Sequence, residues 1–193
     1  MALTRRSIRV FQPRPIPDDL LRDLLTIAMW APSAHNRQPW RFAVVTADDA
    51  KHHLASAMGD QLRADLQADG VSVAVIEKDV GRSYTRITGA AALVCLCMSM
   101  VDMDHYPDEH RAAAERVMAI QSTAMAGQNL LLAAHAAGLG ACWMCAPLFC
   151  ADVVRQVLRL PEDWEPQALI PLGYPAQQRE RTREALETRL LWR

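Results

Sequence analysis

The sequence lacks a strong charge imbalance, a signal-peptide pattern and an uninterrupted apolar run long enough to span a membrane. Its 21 Lys and Arg residues nearly balance 22 Asp and Glu residues, which argues against general attraction to nucleic acid or to an anionic membrane. The N-terminus has no apolar segment of the signal-peptide type. Residues 117–139 form the longest apolar-rich stretch, but polar side chains interrupt it, so we predict a buried helix there.

The sequence also has too few ligand pairs for a structural zinc site. One Cys-x-x-Cys pair is present, Cys142 and Cys145, whereas such a site needs four ligands. We predict that this pair lies in a strand, where alternation turns the thiols to opposite faces, and we predict no metal. Cys95 and Cys97 share one strand face and are interpreted as small core residues. Five cysteines without a secretory signal indicate reduced thiols and a cytoplasmic location.

The length and composition fit a single domain, residues 1–193, with 51% hydrophobic and 22% charged residues. Helical patterns alternate with strand-like apolar runs, which predicts an α/β or α+β layered fold. The stretch 71–76 is either strand or loop, and 179–193 is a charged tail. The predicted helices are 17–28, 49–68, 81–88, 110–137 and 152–160, and the predicted strands are 40–46, 91–98, 140–145 and 167–172.

The helix predicted at 110–137 is apolar on most of its circumference beyond Val117, and Gly138 is expected to end it in a left-handed conformation. A helix without a polar face must be covered on all sides. Its many Ala and Gly residues allow another backbone to approach closely. We take this pattern as the sequence argument for a homodimer.

Four residues near the N-terminus form a candidate phosphate site. Arg5, Arg6, Ser7 and Arg9 place three guanidiniums and one hydroxyl within five positions. Guanidiniums offer forked donors to phosphate oxygens, so the cluster suits a phosphate-bearing cofactor. The alternative is a solvated N-terminus, which is the usual role of a charge run.

A second candidate site is the turn at 31–40, which two prolines stiffen. Its residues of interest are Pro32, Ser33, Asn36 and Gln38. Amide side chains supply both donors and acceptors to a planar ring rich in heteroatoms, so we predict cofactor contact here. The alternative is a helix C-cap and turn without a ligand. His35 and Arg37 face either a substrate or water.

These two motifs, with four further segments, resemble the nitroreductase superfamily, whose members bind flavin mononucleotide (FMN). The resemblance covers nearly the whole chain. It implies an α+β fold, namely a layered α-β-α sandwich with a central mixed sheet flanked by helices, in an intertwined homodimer with the flavin at the interface. The further segments are Gly-Gln-Asn-Leu at 127–130, Gly-Leu-Gly-Ala-Cys-Trp at 138–143, Leu-Gly-Tyr-Pro at 172–175 and Arg-Glu-Ala-Leu-Glu at 183–187.

The resemblance also implies particular phosphate and ring contacts. The arginines and the serine of the motif at 5–9 are implied to contact the flavin phosphate and the ring edge. Arg183 is implied to supply a second phosphate contact, although the nearby Arg181 is not separated from it by the sequence. Pro32 and Ser33 are implied to reach the flavin of the partner subunit.

Backbone N–H groups around Gly140, Cys142 and Trp143 are implied to approach the reactive nitrogen of the flavin. A donor there stabilises the charge that develops on reduction, so no side chain is predicted to be catalytic. The resemblance therefore implies an FMN-dependent oxidoreductase. No Rossmann fingerprint is present, so the sequence does not identify the electron donor.

A narrower resemblance, to the flavin-binding C-terminal domain of bacterial coenzyme F-420 γ-glutamyl ligase, implies a more specific role. It is carried by the segments 103–107, 121–125 and 142–149. The chain starts at the flavin motif, so we expect no ligase domain. The implied reaction is reduction of a dehydro precursor in the biosynthesis of this deazaflavin coenzyme. Arg82 and Arg86, one helical turn apart, are then candidate contacts for an anionic substrate, or else a plain surface pair.

Other functions remain open at this level. The chain is alternatively a generic NAD(P)H-dependent nitro or quinone reductase. It is also compatible with a non-catalytic module that binds flavin or deazaflavin, and with oxygen-dependent cleavage of the flavin itself.

Overall fold

Helices cover both faces of a central antiparallel sheet in the computed structural model, which describes residues 1–177 and 180–193. Within these residues the sheet has four strands in the order β1-β2-β4-β3. The strands are β1 (Trp40–Val45), β2 (Ala92–Met98), β3 (Gly140–Ala141) and β4 (Glu165–Gly173). The helices are α1 (Asp18–Met29), α2 (Asp48–Ala68), α3 (Val73–Thr88), α4 (Glu109–Ala136) and α5 (Ala151–Leu158).

Local sequence explains where helices α1 and α4 begin and where α4 ends. Helix α1 follows Pro17 and carries two acids in its first turn, where the helix dipole favours negative charge. The side chain of Asp108 caps α4 by accepting the N–H of Arg111. Gly138, with φ of +74°, follows the end of α4, as predicted.

The strand pairing is antiparallel throughout the four named strands. Trp40 pairs with Met98, and Ala92 pairs with Leu172. In the described residues the parallel pairing that a mixed sheet requires is confined to one bridge, between Ser7 and Ala141. The predicted mixed sheet is therefore almost entirely antiparallel, because the N-terminal segment joins the edge at one point rather than as a strand.

The core has two halves, one on each face of the sheet, which confirms the layered α-β-α arrangement. Helices α1 and α4 cover one face, where Leu24 and Leu130 are buried. Helices α2, α3 and α5 cover the other face. Cys95 and Cys97 point into this second half with their sulfur atoms 3.7 Å apart, so their interpretation as core residues is confirmed.

Two predictions of secondary structure were wrong. Residues 73–76 of the stretch predicted as strand or loop and the short helix predicted at 81–88 belong to one helix, α3, whose buried residues recur at helical spacing. The strand predicted at 140–145 ends at Ala141, and the following segment touches β4 again through one bridge between Met144 and Leu169. Cys142 is nevertheless buried and Cys145 exposed.

Two surfaces are notable because apolar side chains lie exposed on them. On α4, Val117, Ile120 and Met125 are exposed, so the described residues leave part of the surface of this helix uncovered. In the C-terminal tail, of which residue 179 lies outside the described residues, Leu191 and Trp192 are exposed. Across the described residues, every helix is too short or too polar to cross a membrane.

Candidate functional site

Arginines from both ends of the chain converge on one cavity of about 230 Å³, which we call the arginine cradle. The N-terminal and C-terminal motifs, distant in sequence, thus form one strongly basic site. The sequence did not decide between Arg181 and Arg183, and both line this cavity. The lining residues are Arg5, Arg6, Ser7, Arg9, Arg181 and Arg183.

The N-terminal wall of the cradle is positioned by the edge of the sheet. Ser7 bridges Ala141, and the Ile8 N–H donates to the Ala141 carbonyl oxygen at 3.0 Å. Ile8 is buried, while its neighbours Ser7 and Arg9 line the cradle, as alternation in an extended segment requires. A Cβ on Gly140 would lie 2.7 Å from the Ile8 side chain, so the glycine permits this close approach.

The charge of the cradle reaches the end of β3. Burial raises the pKa of the Cys142 thiol, and the charges of Arg9, Arg86 and Arg5 oppose that rise. Cys142 therefore lies beside the cradle, and the guanidinium of Arg86 on α3 also acts on this thiol. The cation Arg6 also has a buried Nε atom without a hydrogen-bond partner in the described residues, although its Nη1 donates to the Leu3 and Arg5 carbonyls at 2.8 Å.

The structure separates the two arginines that the sequence paired on α3. Arg82 is exposed and donates to the carboxylate of Asp79 at 2.7 Å, one turn earlier in the same helix. Arg86 is half-buried and interacts with Cys142. Arg86 therefore lies on the side of α3 towards Cys142, and Arg82 forms an ion pair within α3.

The predicted turn has an unusual backbone. His35, Asn36 and Gln38 have φ values of 49°, 56° and 51°, a left-handed conformation that is strained for residues other than glycine. The Ser33 hydroxyl oxygen accepts the Gln38 N–H at 3.1 Å and closes the turn. The Ala34 N–H donates to the Ser122 hydroxyl of α4 at 3.3 Å.

In the described residues the turn and the cradle line separate cavities. Pro32, Asn36 and Gln38 are exposed and Ser33 is half-buried. Gln38 lines a different cavity, of about 440 Å³, with Arg37, Arg41 and Asp102.

The segment after β3 is held by alternating hydrogen bonds. The Cys142 N–H donates to the Pro171 carbonyl at 3.3 Å and the Met144 N–H to the Leu169 carbonyl at 3.0 Å. This alternation turns the Trp143 N–H away from β4. The Trp143 side chain donates through Nε1 to the sulfur of Cys145 at 3.2 Å. The Cys142 amide is therefore used by the sheet, and the Trp143 amide is the better candidate donor to a ligand.

Sequence reasoning missed two polar residues of α4 that support the turn and the loop after β2. Ser122 holds Ala34, and the fully buried Glu115 accepts the backbone N–H of Asp104 at 3.2 Å. The available signal was the presence of polar residues within a helix expected to be apolar. Only the packing shows which neighbours they contact.

Comparisons with known proteins identify the family of this chain. The model of the Nitroreductase family matches residues 2–174. A relative named NADH dehydrogenase, from Thermus thermophilus, is 33% identical over a 204-residue alignment that covers 100% of this chain and 94% of the relative.

Solved structures show the same fold. A nitroreductase in complex with FMN, from Desulfovibrio desulfuricans, is 27% identical with a TM-score of 0.76, and the match covers 100% of this chain and 94% of that chain. A BluB-like flavoprotein from Clostridium difficile is 22% identical with a TM-score of 0.83, covering 97% and 94% respectively. At that identity the second likeness concerns the fold alone. Because the family model spans most of its length, this chain belongs to the nitroreductase family.

Proposed function

We propose that the protein is an FMN-dependent oxidoreductase that uses NADH or NADPH and acts as a homodimer. The observation that carries the proposal is the arginine cradle, a small basic cavity suited to one terminal phosphate. The relatives named NADH dehydrogenase and nitroreductase, one of them in complex with FMN, support the same reaction class.

The residues present fit a flavin phosphate. The buried Nε of Arg6 has no acceptor in the described residues, and a phosphate oxygen would supply one. Arg9 and Ser7 line the same wall, and Arg181 and Arg183 line the cradle from the tail. A single phosphate fits this compact site better than the pyrophosphate of a dinucleotide, so we propose FMN rather than FAD.

The chemistry that bound FMN supplies is hydride transfer between a reductant and a second substrate. The protein contributes binding, orientation and electrostatics. The cradle holds the phosphate, and the Trp143 N–H, turned away from β4, is the proposed donor to the ring nitrogen that gains charge on reduction. No side chain of this chain is proposed to transfer a proton or to form a covalent bond.

Two observations support the homodimer. The exposed apolar residues of α4 need a covering surface, and a second copy of α4 would provide one. The turn with Pro32 and Ser33 lies away from the cradle of its own chain, so we propose that it contacts the flavin held by the cradle of a second copy. The site is then complete only in the dimer.

The test is direct. The protein is purified, its visible spectrum is recorded, and the cofactor is released by heat and identified by chromatography. Anaerobic titration with NADH and NADPH, followed by steady-state turnover with a nitroaromatic and a quinone, measures the reaction. FMN and turnover are expected. Recovery of mainly FAD contradicts the cofactor assignment, FMN without turnover indicates a binding module, and loss of flavin under air with fragment formation indicates flavin cleavage.

A more specific proposal concerns the substrate. Reduction of an anionic deazaflavin, the role implied by the narrower resemblance, is favoured by Arg86, which adds positive charge beside the cradle. If Arg82 and Arg86 both contact this ligand, the Arg82→Glu/Arg86→Glu double variant weakens the binding of this ligand more than the binding of a neutral quinone of similar size. The single variants separate the two contributions, and we expect Arg86 to account for most of the effect, because its charge acts on Cys142 together with the charges of the cradle residues Arg9 and Arg5. Equal losses for both ligands favour the generic nitro or quinone reductase.

A cytoplasmic location is also a proposal. It is supported by the cysteines, all five of which are free thiols.

A further inference from the structure

Glu115 is a buried acidic residue with a single hydrogen-bond donor in the described residues. Its side chain is fully buried on α4. One carboxylate oxygen accepts the Asp104 N–H at 3.2 Å, and the other is buried without a hydrogen-bond partner in the described residues. One helical turn further, Ala119 packs with Met98 and Met103 in a small apolar cluster. Burying a carboxylate with a single donor is unfavourable, so its presence calls for a role beyond packing.

The backbone that Glu115 holds belongs to the loop after β2, residues 99–106, and this loop is tied to the turn at 33–38. Asp104 forms an ion pair with Arg37 of the turn. Asp102 pairs with Arg41 at 2.6 Å, and Arg41 also donates to the Gln38 carbonyl at 3.1 Å. Fixing the position of the loop therefore fixes two guanidiniums that brace the turn.

The turn needs such bracing because none of its left-handed residues His35, Asn36 and Gln38 is a glycine. Each such residue is conformationally unfavourable and persists only where the surroundings over-determine it. Helix α4 provides two supports on one face, seven residues apart: Ser122 accepts the Ala34 N–H directly, and Glu115 acts through the loop.

We propose that Glu115 is a positioning residue, whose buried carboxylate holds the 99–106 loop so that Asp104 and Arg37 keep the turn in the conformation that contacts the cofactor. The part concerning the cofactor rests on the proposed function. The part concerning the loop and the turn rests on this chain alone. Glu115 itself touches no ligand in this arrangement.

Three variants separate positioning from packing. Glu115→Gln keeps a carbonyl oxygen that accepts the Asp104 N–H. Glu115→Leu keeps the approximate size and removes the acceptor. The matched control is Thr123→Val on the same helix, because the Thr123 hydroxyl is also buried and makes no hydrogen bond in the described residues.

Three measurements are made on the purified full-length protein: thermal unfolding, amide hydrogen exchange resolved by segment, and the dissociation constant of FMN. For Glu115→Leu we expect an unchanged or higher Tm, because a poorly satisfied buried charge is removed. We expect exchange to accelerate about tenfold or more in residues 99–106 and 33–38. FMN affinity is expected to fall about fivefold or more, because the turn is no longer preorganised. Glu115→Gln is expected to stay within about twofold of the parent in exchange rate and in FMN affinity. Thr123→Val is expected to leave the exchange rate and the FMN affinity unchanged.

The proposal is overturned if Glu115→Leu leaves hydrogen exchange in both segments unchanged. It is also overturned if Glu115→Leu lowers Tm and accelerates exchange uniformly along the chain, and Glu115→Gln does the same. If Glu115→Leu fails to fold, Asp104→Ala on the exposed side replaces it, since it keeps the backbone N–H and removes the ion pair with Arg37. Faster exchange in 33–38 is then expected, and unchanged exchange there overturns the proposal. Exchange does not depend on a flavin, so altered exchange in a protein that binds no FMN upholds the loop role while refuting the proposed function.

Discussion

Gly127 of α4 and Trp143, which follows β3, are in direct contact. A Cβ on Gly127 would lie 2.3 Å from Cζ3 of the Trp143 indole and 2.8 Å from a methyl group of Leu96. The missing side chain thus makes the space in which the indole rests. The central helix, the sheet and the candidate flavin-contacting segment meet at this point.

We predict that Gly127→Ala displaces Trp143. The substitution improves helix propensity by about 1 kcal/mol, but overpacking costs about 1–3 kcal/mol, so a net loss of up to about 2 kcal/mol is expected. Denaturant unfolding measures this loss, and a shift in tryptophan fluorescence reports the indole. The control is Gly81→Ala in α3, where an added Cβ meets nothing within 4 Å and stabilisation by up to about 1 kcal/mol is expected. Unchanged fluorescence and stability in Gly127→Ala would show that the indole is not constrained.

We predict that Arg9→Ala weakens FMN binding more than Arg37→Ala. Arg9 lines the cradle, whereas Arg37 pairs with Asp104 in the turn. A charge-assisted hydrogen bond contributes about 1.5–3 kcal/mol, which corresponds to a loss of about tenfold to hundredfold for Arg9→Ala. Fluorescence titration gives both dissociation constants, and equal values contradict the assignment of the phosphate to the cradle.

We predict that both tail arginines of the cradle bind phosphate. Arg181→Ala and Arg183→Ala are each expected to weaken FMN binding. Each is also expected to make the FMN affinity less dependent on salt, because partly exposed charges are screened over about 8–10 Å. Arg189→Ala is the control, since Arg189 is exposed in the same tail and does not line the cradle. A loss in Arg189→Ala equal to that in Arg183→Ala would indicate a general charge effect.

We predict an obligate dimer that uses the exposed face of α4. Ile120→Glu places a charge where an apolar surface is expected to be buried, so it should dissociate the dimer and reduce flavin content. Sedimentation at micromolar concentration measures the association. Val73→Glu on α3, which is 68% exposed, is the control and is expected to remain dimeric. A folded, flavin-loaded monomer of the parent protein refutes the prediction.

We predict a small acid-sensitive contribution from Glu165 and Arg116. Arg116 donates to both oxygens of Glu165, at 2.9 and 2.5 Å, and this bonding lowers the pKa of Glu165. A lowered folded-state pKa stabilises the protein above the unfolded value, near 4.3, and the stabilisation is lost as pH falls through the folded value.

Glu165→Gln is therefore expected to lower the free energy of unfolding at pH 7 by at most about 1 kcal/mol, because the pair is partly exposed. The difference from the parent should be smaller at about pH 3, because the stabilisation is lost as the pH falls through the lowered folded-state pKa. Urea unfolding at both pH values measures this. The exposed neighbour provides the control, Glu162→Gln, for which no such difference is expected. A loss in Glu165→Gln that is the same at both pH values contradicts the linkage.

Much of the fold could be predicted from local patterns. Helices α2 and α4 and strands β1 and β2 were predicted within a residue or two, because hydrophobic periodicity and capping signals are properties of neighbouring residues. Helix α3 was missed in its first half, because Val71 to Ile76 carries apolar residues at a spacing that suits strand and helix alike. The strand at 140–145 was overestimated, because its length depends on how far β4 continues beside it.

The candidate site divides in the same way. Its ingredients, the arginines of both termini and the amide turn, could be read from residue types and their order, since a guanidinium suits a phosphate wherever it lies. The sequence did not place Arg86 near the cradle and Arg82 beside Asp79, because one helical turn fixes a shared face and not what that face meets. The support from Glu115 could not be predicted, because a polar residue in a helix does not show which backbone group its side chain contacts.

The sequence by itself determined the family, the approximate elements and the basic and amide-rich motifs, because these depend on residue identity and short-range spacing. Only the tertiary structure decided that Arg9 and Arg183 share one cavity, that Gly127 makes room for Trp143, and that Gln38 of the turn lines a different cavity from the cradle. Such relationships join residues far apart in the chain. They are set by how the layers pack against each other, and packing is a property of the whole domain rather than of any segment.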